Sequence, residues 1–437
     1  MKKFLLISLS LLLFLILAAS AALYLYVTPE RLEDLANRHL EEQLEAGIGS
    51  ARFNLFTRTL HLEDVTFMAT REDQEVVLFQ TEYLTAGSIG LLSAVRGELS
   101  AGSFQADRFM IDLTQLPTLT SIDYSGRTSA PIDLGTILLK NGELRFPSGT
   151  DGSGTLYGLQ VAAGPISYRP DHETEPGTLI RNLDLNSERF EYQLPGGNYQ
   201  LSAETISVSE RDSSFKSGRI RVENLYSEQA YFSALDYRTD LIEFDVDSVS
   251  VTGLDLGSYL QNRDIVAGLV RVENADLHVT SDKRIPRNPD REPKPLPRQI
   301  LLNLPFVVSL DTIQFRSTDI RYSEYDEEGV RPGTIHFADT DATLLQVNNR
   351  TDVGVQLHAR SLLNRAGALE TEIRMYTENS AEIITVAGTL GEFDLTRLNS
   401  ILMDLEGIEI TGGTVRDLRF DYRMYSSGSM GTLQAIY

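Results

Sequence analysis

The hydrophobic pattern changes twice along the chain, and each change predicts a different kind of structure. Behind Lys2 and Lys3, residues 4–27 form a largely apolar and uncharged run. About 24 residues at 1.5 Å per helical residue span roughly 36 Å, more than a hydrocarbon core of about 30 Å. We therefore predict a cytoplasmic tip and a transmembrane anchor at 1–27, with these anchor residues: Phe4, Leu11, Leu17, Tyr24, Tyr26 and Val27.

The residues around this run predict its orientation. Lysines on the N-terminal side favour a cytoplasmic N-terminus, so the bulk of the chain would lie across the membrane. Tyr24 and Tyr26 match the aromatic belt of the far interface. The alternative is a cleaved signal peptide, because Ala19-Ser20-Ala21 has the small-x-small form of a cleavage site. The apolar run continues past that site to Val27, which favours a retained anchor.

A short amphipathic helix is predicted at 28–49, next to the anchor. Thr28-Pro29 supplies a capping hydroxyl followed by a proline at the first helical position. Gly47 marks the predicted end, and the leucines before it recur at close to helical spacing: Leu32, Leu35, Leu40 and Leu44. We favour a role in capping the end of the following structure over a role in binding a membrane surface or a partner.

From about Ala51 the apolar period changes from 3.6 to 2, which predicts β-strands to the end of the chain. The first alternating residues are Phe53, Leu55, Leu60 and Leu62. A local pattern then recurs: two alternating apolar residues, four polar or small residues, and two more alternating apolar residues. The predicted inward residues of its copies are Ile137, Leu139, Leu144, Phe146, Val270, Val272, Ile313, Phe315, Ile320 and Tyr322.

Each copy of this pattern predicts a β-hairpin. Asn141-Gly142 suits a two-residue hairpin loop, which would place Leu139 opposite Leu144. Opposed residues of an antiparallel pair point to the same side of the sheet. The apolar side chains of each copy are therefore expected to share one face, with polar side chains on the other.

The segment 284–298 interrupts the strands with several prolines among basic residues. Proline cannot donate to a sheet ladder and disrupts a helix interior, so this segment can be neither a central strand nor a helix. We predict a solvated loop between two stretches of sheet, at 50–283 and 299–437. Docking of an acidic partner or headgroup is the alternative role.

Composition narrows the chemistry that the chain can perform. It contains no cysteine, which excludes disulfides, thiolate metal sites and thiol nucleophiles. Its formal net charge of −23 repels polyphosphates, so no nucleic-acid partner is expected. The histidines show no metal-ligand spacing, and neither a phosphate loop nor a nucleophile elbow occurs. We predict a non-enzyme with no catalytic residues, cofactor or metal, although 62 acidic residues leave a carboxylate-based hydrolase open.

Three stretches of the sequence resemble one known family. The first follows the predicted helix: Leu44-x-Ala46-Gly47, then Asn54-Leu55-Phe56-x-x-Thr59-Leu60-x-Leu62-x-Asp64-Val65. The second contains Leu296-Pro297-x-x-Ile300-Leu301, Ile313-x-Phe315, Ile320-Arg321-Tyr322-x-Glu324 and Gly333-Thr334-Ile335-x-Phe337. The third contains Phe393-Asp394-Leu395-x-x-Leu398-Asn399, Gly407-Ile408-x-Ile410, Gly412 and Leu418-x-Phe420. Together they resemble the AsmA-like family of bacterial envelope proteins, which is akin to the bridge-like lipid transfer proteins.

The resemblance implies a long, curved sheet folded into an open trough. It implies a single-pass inner-membrane protein whose bulk is periplasmic and which has no catalytic residues. Its expected partners are the acyl chains of membrane phospholipids and other envelope proteins, in lipid traffic between membranes or outer-membrane assembly. In relatives the strand near Tyr437 continues into more sequence, so we expect either a fragment or a short member of the family.

A sheet with one polar, solvent-exposed face must bury its other, apolar face. The predicted fold class is mainly β: an N-terminal transmembrane helix and a short amphipathic helix, followed by a long twisted antiparallel-rich sheet that forms an open groove. The alternative is a scaffold or binding module of closed β-sandwich units that contacts envelope proteins or glycans. For each predicted inward residue, both packing in a core and contact with lipid stay open.

Overall fold

The computed structural model describes residues 28–39, 44–71, 74–90, 99–114, 132–148, 152–168, 182–290, 295–351, 353–378, 381–425 and 428–437. Within these ranges the chain is mainly β, with a few short helices. The predicted anchor at 1–27, which includes Phe4, Leu11, Leu17, Tyr24, Tyr26 and Val27, falls outside the described residues. No helix in the described ranges has the length and apolar character needed to cross a bilayer.

Two compact units divide the chain, Met1–Phe190 and Glu191–Tyr437. The elements that begin in the first unit are α1 (Pro29–His39), β1 (Leu44–Asn54), β2 (Thr59–Arg71), β3 (Gln74–Gly87), β4 (Leu99–Asp112), β5 (Ile132–Ser148), β6 (Gly152–Ala163), β7 (Ile166–Tyr168) and β8 (Asp184–Gln193). Strands β1 to β4 pair antiparallel in sequence order. β4 pairs parallel with β5, which pairs antiparallel with β6 and β7.

The second unit begins with β9 (Tyr199–Ser209), β10 (Ser214–Ser217), β11 (Ile220–Asn224), α2 (Glu228–Ser233), β12 (Leu241–Thr252), α3 (Leu256–Asn262) and β13 (Ile265–Asp282). It continues with α4 (Pro297–Leu302), β14 (Val308–Tyr325), β15 (Gly333–Asn348), β16 (Val355–Leu363), β17 (Gly367–Glu378) and β18 (Ala381–Leu390). The last elements are β19 (Phe393–Asp394), a 3₁₀ turn (Leu395–Leu398), α5 (Asn399–Glu406), β20 (Thr414–Val415), β21 (Asp417–Tyr425) and β22 (Gly428–Ile436).

Pairing in the second unit is antiparallel apart from one parallel contact. β9 pairs with β10 and β11, both of these pair with β12, and β12 pairs with β13. β13 and β14 are parallel. The order then runs antiparallel from β14 through β15, β16, β17 and β18 to β21 and β22. β19 and β20 form a separate small ladder. Each unit is thus built on a large, mostly antiparallel sheet.

The prediction of hairpins is wrong. The chain runs through each of the three complete copies of the apolar pattern, at 137–146, 270–279 and 313–322, as one long strand. β5, β13 and β14 each contain both halves of a pattern. One residue in the middle of each takes a positive φ in place of a hairpin loop: Asn141 at 55°, Asn274 at 53° and Ser317 at 49°. We interpret these residues as bulge-like irregularities that change the direction of the side chains that follow. Neighbouring strands share them, because the pairing register is the same on both sides.

The irregularity explains why apolar residues five positions apart share a face. In a regular strand Leu139 and Leu144 would point to opposite faces. Both nevertheless pack against the same buried cluster, which contains Phe109. The neighbouring strand β4 has its own positive-φ residue, Arg108 at 54°, at the level of Asn141 in the parallel register. The two halves of this pattern therefore share a face by way of a bulge and not a turn.

The amphipathic helix is shorter than predicted. α1 ends at His39, whereas Leu44 and Gly47 lie in β1. Residues 44–48 also alternate between apolar and polar or small side chains, so the local sequence suits a strand as well as a helix. This segment pairs with residues 65–69 of β2. The pairing favours the strand, because it gives every second residue of the segment hydrogen bonds for its backbone amide and carbonyl groups.

Two smaller predictions also need correction. Leu55, predicted as an inward strand residue, lies in the turn between β1 and β2. The Asn54 side chain accepts hydrogen bonds from the Phe56 and Thr57 amides there and so fixes the turn. The predicted loop at 284–298 also contains the start of a helix, since α4 begins at Pro297. A proline is tolerated at that position because the first amide of a helix has no partner within the helix.

Candidate functional site

The apolar face of the second unit consists of rows of side chains that run across the strands. The registers of successive strands place one apolar residue of each strand at the same level, from β12 to β18 and on to β21. Eight strands about 4.8 Å apart give a row of roughly 34 Å. We call this set the central row: Val251, Val270, Ile313, Leu344, Leu357, Ile373, Val386 and Tyr422.

The adjacent residue on each strand belongs to a second row that points to the opposite face. Neighbouring residues of a strand alternate between the two sides of a sheet. This polar row contains Ser250, Arg271, Gln314, Thr343, His358, Glu372, Ala387 and Asp421. Only Ala387 among them is apolar. The sheet of the second unit thus has one apolar and one polar face.

Every side chain of the central row is half-buried, and none is fully buried. Val270 of this row packs against the core cluster formed by Val246, Val272 and Ala275. Its other members come only from β11 to β14, which are neighbours in the same sheet. Within the described residues no opposing layer contributes to this cluster. Each side chain of the central row therefore keeps part of its surface accessible.

The first unit carries similar rows across β1 to β6. One contains Phe53, Leu60, Ala86, Phe104, Ile137 and Ala163, and the next contains Ala51, Leu62, Leu84, Ala106, Leu139 and Val161. Beyond the bulges a third contains Ala46, Phe67, Phe79, Ile111, Leu144 and Leu156. Two clusters, around Leu62 and Phe109, draw their members from nearby strands and from Leu32 of α1.

Apart from Leu55, which lies in the turn between β1 and β2, the structure places the predicted inward residues on these rows or beside them. Only two are buried, Leu62 at 9% exposure and Val272 at 7%. The remaining ones are half-buried. Phe146 stacks on Phe190 with ring centroids 6.1 Å apart, and Tyr322 donates a hydrogen bond to Glu324 (2.8 Å). The partly exposed state of most of these side chains is what an unfilled apolar face requires.

Two short helices lie at opposite ends of β15. In α4, Arg298 donates to the Thr351 carbonyl oxygen (3.5 Å), just beyond the end of β15. In α5, Ser400 donates to the Thr334 carbonyl oxygen (3.0 Å), at the start of β15. The central row crosses β15 at Leu344, between these two helices. Both helices carry exposed apolar side chains, namely Ile300, Leu302 and Met403. Reasoning from sequence did not place these two helices at the ends of β15.

A buried ion pair joins α4 to β18. Arg298 is 2% exposed, and its Nε lies 3.8 Å from Oε2 of Glu382 in β18. The Thr377 hydroxyl donates to the other oxygen of Glu382 (2.6 Å). A buried charge is costly without a partner, so each member of this pair depends on the other. Within the described residues Nε and Nη1 of Arg298 and Oε2 of Glu382 have no hydrogen-bond partner, so this contact between α4 and β18 is an ion pair without a hydrogen bond.

Ion pairs between neighbouring strands occupy the polar face. Arg219 contacts both carboxylate oxygens of Asp245 (2.9 and 2.6 Å), and Arg221 approaches the same carboxylate (3.2 Å). The hydrogen bonds from Arg219, and then those from Arg221, hold the pKa of Asp245 below its usual value. Water and dissolved salt screen these exposed pairs, so each contributes little to stability. This face is suited to contact with water.

A second polar cluster lies where β13 and β14 end. Asp282 is almost fully buried and accepts two hydrogen bonds from the Arg284 guanidinium (2.9 and 2.6 Å). Burial acts to raise the pKa of Asp282, but the hydrogen bonds from Arg284 outweigh it and the pKa lies below its usual value. Tyr325 donates to Glu228 of α2 (2.7 Å). Burial, followed by this hydrogen bond, raises the pKa of Tyr325 to about 12. The cluster ties α2 to the sheet.

One group of side chains has the composition of a hydrolase triad. Nε2 of His278 lies 3.0 Å from the Ser323 hydroxyl, and Nδ1 lies 3.6 Å from a carboxylate oxygen of Glu243. Ser323 is only 4% exposed, and its hydroxyl also contacts that of Thr334 (2.9 Å). An acyl-transfer site needs an accessible nucleophile beside free oxyanion donors. The buried hydroxyl lacks that access, so we interpret the group as a hydrogen-bond chain that joins adjacent strands.

No group of three or more potential metal ligands occurs among the described residues. Comparison with protein-family models and with curated proteins gives no match to this chain. The resemblance to the AsmA-like family therefore stays a prediction from the motifs quoted above. The case for a function rests on the half-buried apolar rows and on the polar face behind them.

Proposed function

We propose that this chain is a membrane-anchored, non-enzymatic cell-envelope protein that shields lipid acyl chains in an open β-groove. It would assist phospholipid transport between membranes or outer-membrane biogenesis, as the resemblance to the AsmA-like family implies. The central row is the observation that carries the proposal. Eight apolar side chains in register across eight strands, all half-buried, form a surface that an apolar ligand would complete.

An acyl chain has the right chemistry for this surface. Burial of a methylene group gains about 0.8 kcal/mol, so sixteen carbons gain about 13 kcal/mol before the entropy of binding is subtracted. The row of roughly 34 Å runs across the strands, which gives a flexible chain a continuous apolar path. An acyl chain can follow such a path without any specific polar contact. This matches a face whose side chains differ in shape but share apolar character.

The headgroup would stay in water. The chain has a formal net charge of −23, and the polar face is occupied by ion pairs between its own side chains. Neither feature favours tight contact with an anionic headgroup. Affinity would therefore come from the acyl chain, and different phospholipids would bind similarly. The predicted anchor at 1–27 would hold the protein in the inner membrane, with the sheet in the periplasm.

Lipid retained by the purified full chain tests this proposal. Mass spectrometry of organic extracts gives the phospholipid content per chain after exchange into detergent. A control protein, in which residues 1–27 are fused to an unrelated soluble domain, measures the lipid held by the predicted anchor alone. We expect about one or more additional phospholipids per full chain, because the apolar face shields them from exchange. Equal lipid content in both proteins would favour the scaffold or binding module.

A further inference from the structure

The segment that contains α4 and the start of β14 is apolar and almost free of charge. Residues 295–310 include a single charged residue, Arg298, although the whole chain is 23% charged. Arg298 is buried, and Glu382 lies beside it. Ile300 and Leu302 of α4 are 53% and 38% exposed. The segment therefore presents an uncharged and partly apolar surface to its surroundings.

Two further exposed apolar residues lie at the same end of the second-unit sheet. Val353 is 47% exposed and follows Thr351, whose carbonyl oxygen accepts a hydrogen bond from Arg298. Ile265 is 37% exposed, and its amide donates to the Val307 carbonyl oxygen (2.7 Å), just before β14. The exposed aliphatic residues come from three separate segments of the chain, and we call them the apolar end: Ile265, Ile300, Leu302 and Val353.

The apolar end adjoins the apolar face of the sheet. Glu382 lies on β18 four residues before Val386 of the central row, and no register shift separates them. Residues an even number of positions apart on a regular strand point to the same side. The contact between Arg298 and Glu382 (3.8 Å) therefore places α4 at the border of the apolar face. A path from α4 to the central row stays on one side of the sheet.

The opposite end of the same sheet is acidic. The turn between β14 and β15 contains Asp326, Glu327 and Glu328, and the last two are exposed. Membranes with anionic lipids carry a negative surface potential, and the chain itself has a formal net charge of −23. Like charges repel, so this acidic turn opposes close approach to such a membrane. The uncharged surface around α4 does not.

We propose that the apolar end is a membrane-contact surface, at which the second unit touches a lipid bilayer and exchanges acyl chains with it. This inference rests on the proposed function, because it names the surface through which lipid reaches the apolar face. The apolar side chains of an interfacial helix bury themselves at the boundary between headgroups and acyl chains. Such contact needs no particular headgroup, which agrees with recognition of lipids through their acyl chains.

Fluorescence quenching by lipids tests the contact. The chain contains no cysteine, so Ile300→Cys provides a single site for a fluorescent label. Val330→Cys is the matched control, because Val330 is 88% exposed and belongs to the acidic turn at the opposite end. The labelled full chain is reconstituted in vesicles of phosphatidylethanolamine and phosphatidylglycerol that carry a nitroxide on their headgroups. In a second arm, the nitroxide is present only in vesicles that are added afterwards.

We expect several-fold stronger quenching at position 300 than at position 330 in at least one arm. The difference should persist in a Leu344→Lys background, because contact with the bilayer does not require lipid on the central row. No quenching at position 300 in either arm would overturn the proposal. Quenching at position 330 that equals or exceeds it would do the same.

Negative charge at the apolar end provides the second test. Ile300→Asp combined with Leu302→Asp should slow the transfer of a fluorescent phospholipid from vesicles to the full chain by about tenfold or more. Affinity for a fluorescent fatty acid in solution should stay within about twofold of wild type, because both residues are exposed and lie outside the central row. Val330→Asp is the control and should change neither quantity. An unchanged transfer rate in the double variant would contradict the membrane contact. Failure of the wild type to bind the fatty acid would count against the proposed function, and quenching at position 300 would still decide the contact.

Discussion

Leu344→Lys is expected to weaken the binding of a fluorescent fatty acid to the full chain by more than tenfold. Leu344 lies in the middle of the central row, between Ile313 and Leu357 on the neighbouring strands. An ammonium group at this level must either lose water when an acyl chain covers it or keep the chain away. The free-energy cost of removing water from the ammonium group, or of losing the contact with the acyl chain, exceeds the 1.4 kcal/mol that corresponds to a tenfold change in affinity. Fluorescence titration measures the effect.

Thr343→Lys is the matched control for this variant. Thr343 is the preceding residue on the same strand and belongs to the polar row. The control adds the same charge to the same sheet but on the face that already carries ion pairs, so affinity should stay within about twofold of wild type. Ile373→Lys repeats the test at a second point of the central row if Leu344→Lys folds poorly. Equal losses in the variants of both faces would contradict binding at the apolar face.

Gly142→Ala is expected to destabilise the first unit by about 1–3 kcal/mol. A Cβ atom at this position would lie 2.0 Å from the ring of Phe109, which is itself only 3% exposed. The positive φ of this bulge belongs to Asn141, so Gly142 is required for space and not for backbone conformation. Amide hydrogen exchange in β4 and β5 reports the local loss of stability.

A second substitution separates crowding from other effects. In a Phe109→Ala background the ring is gone, so adding Gly142→Ala should cost little. The coupling between the two positions should be at least about 1 kcal/mol. Gly412→Ala serves as the control, since a Cβ there meets no atom within 4 Å, and should change stability by less than about 0.5 kcal/mol. Additive effects of the two substitutions would show that the contact with Phe109 is not the cause.

The sequence predicted the division of the strands into an apolar and a polar side. Period-two alternation at Phe53, Leu60 and Leu62 and at Ile313 and Phe315 identifies residues that the structure places on the apolar rows. This prediction succeeds because the alternation of a strand is a local property of the backbone. It does not depend on which strands become neighbours.

The sequence could not distinguish a bulge from a hairpin. Asn141-Gly142 suits a two-residue turn, and Asn tolerates the positive φ that both structures require. The parallel contact of β4 with β5 decides the matter, because it keeps the strand straight on both sides of Asn141. One signal was present in the sequence: residues five apart were apolar in each copy, which fits one extra residue in a continuous strand.

The rows themselves could not be predicted, because they depend on non-local pairing. Val270 and Ile313 are neighbours only because β13 and β14 pair in parallel across a long connection. The same connection contains α4, whose proline-rich start suggested a loop. Proline is common at the first position of a helix, so Pro297 was a signal for the start of α4.

Photo-crosslinking with a diazirine-bearing fatty acid tests the central claim most directly. After irradiation of the purified full chain, proteolysis and mass spectrometry identify the labelled residues. If the apolar rows hold acyl chains, label should appear on central-row residues such as Leu344, Ile373 and Val386. Adjacent polar-row residues, Thr343 and Glu372 among them, should carry little. Label confined to residues 1–27, or distributed equally over both rows, would contradict the account.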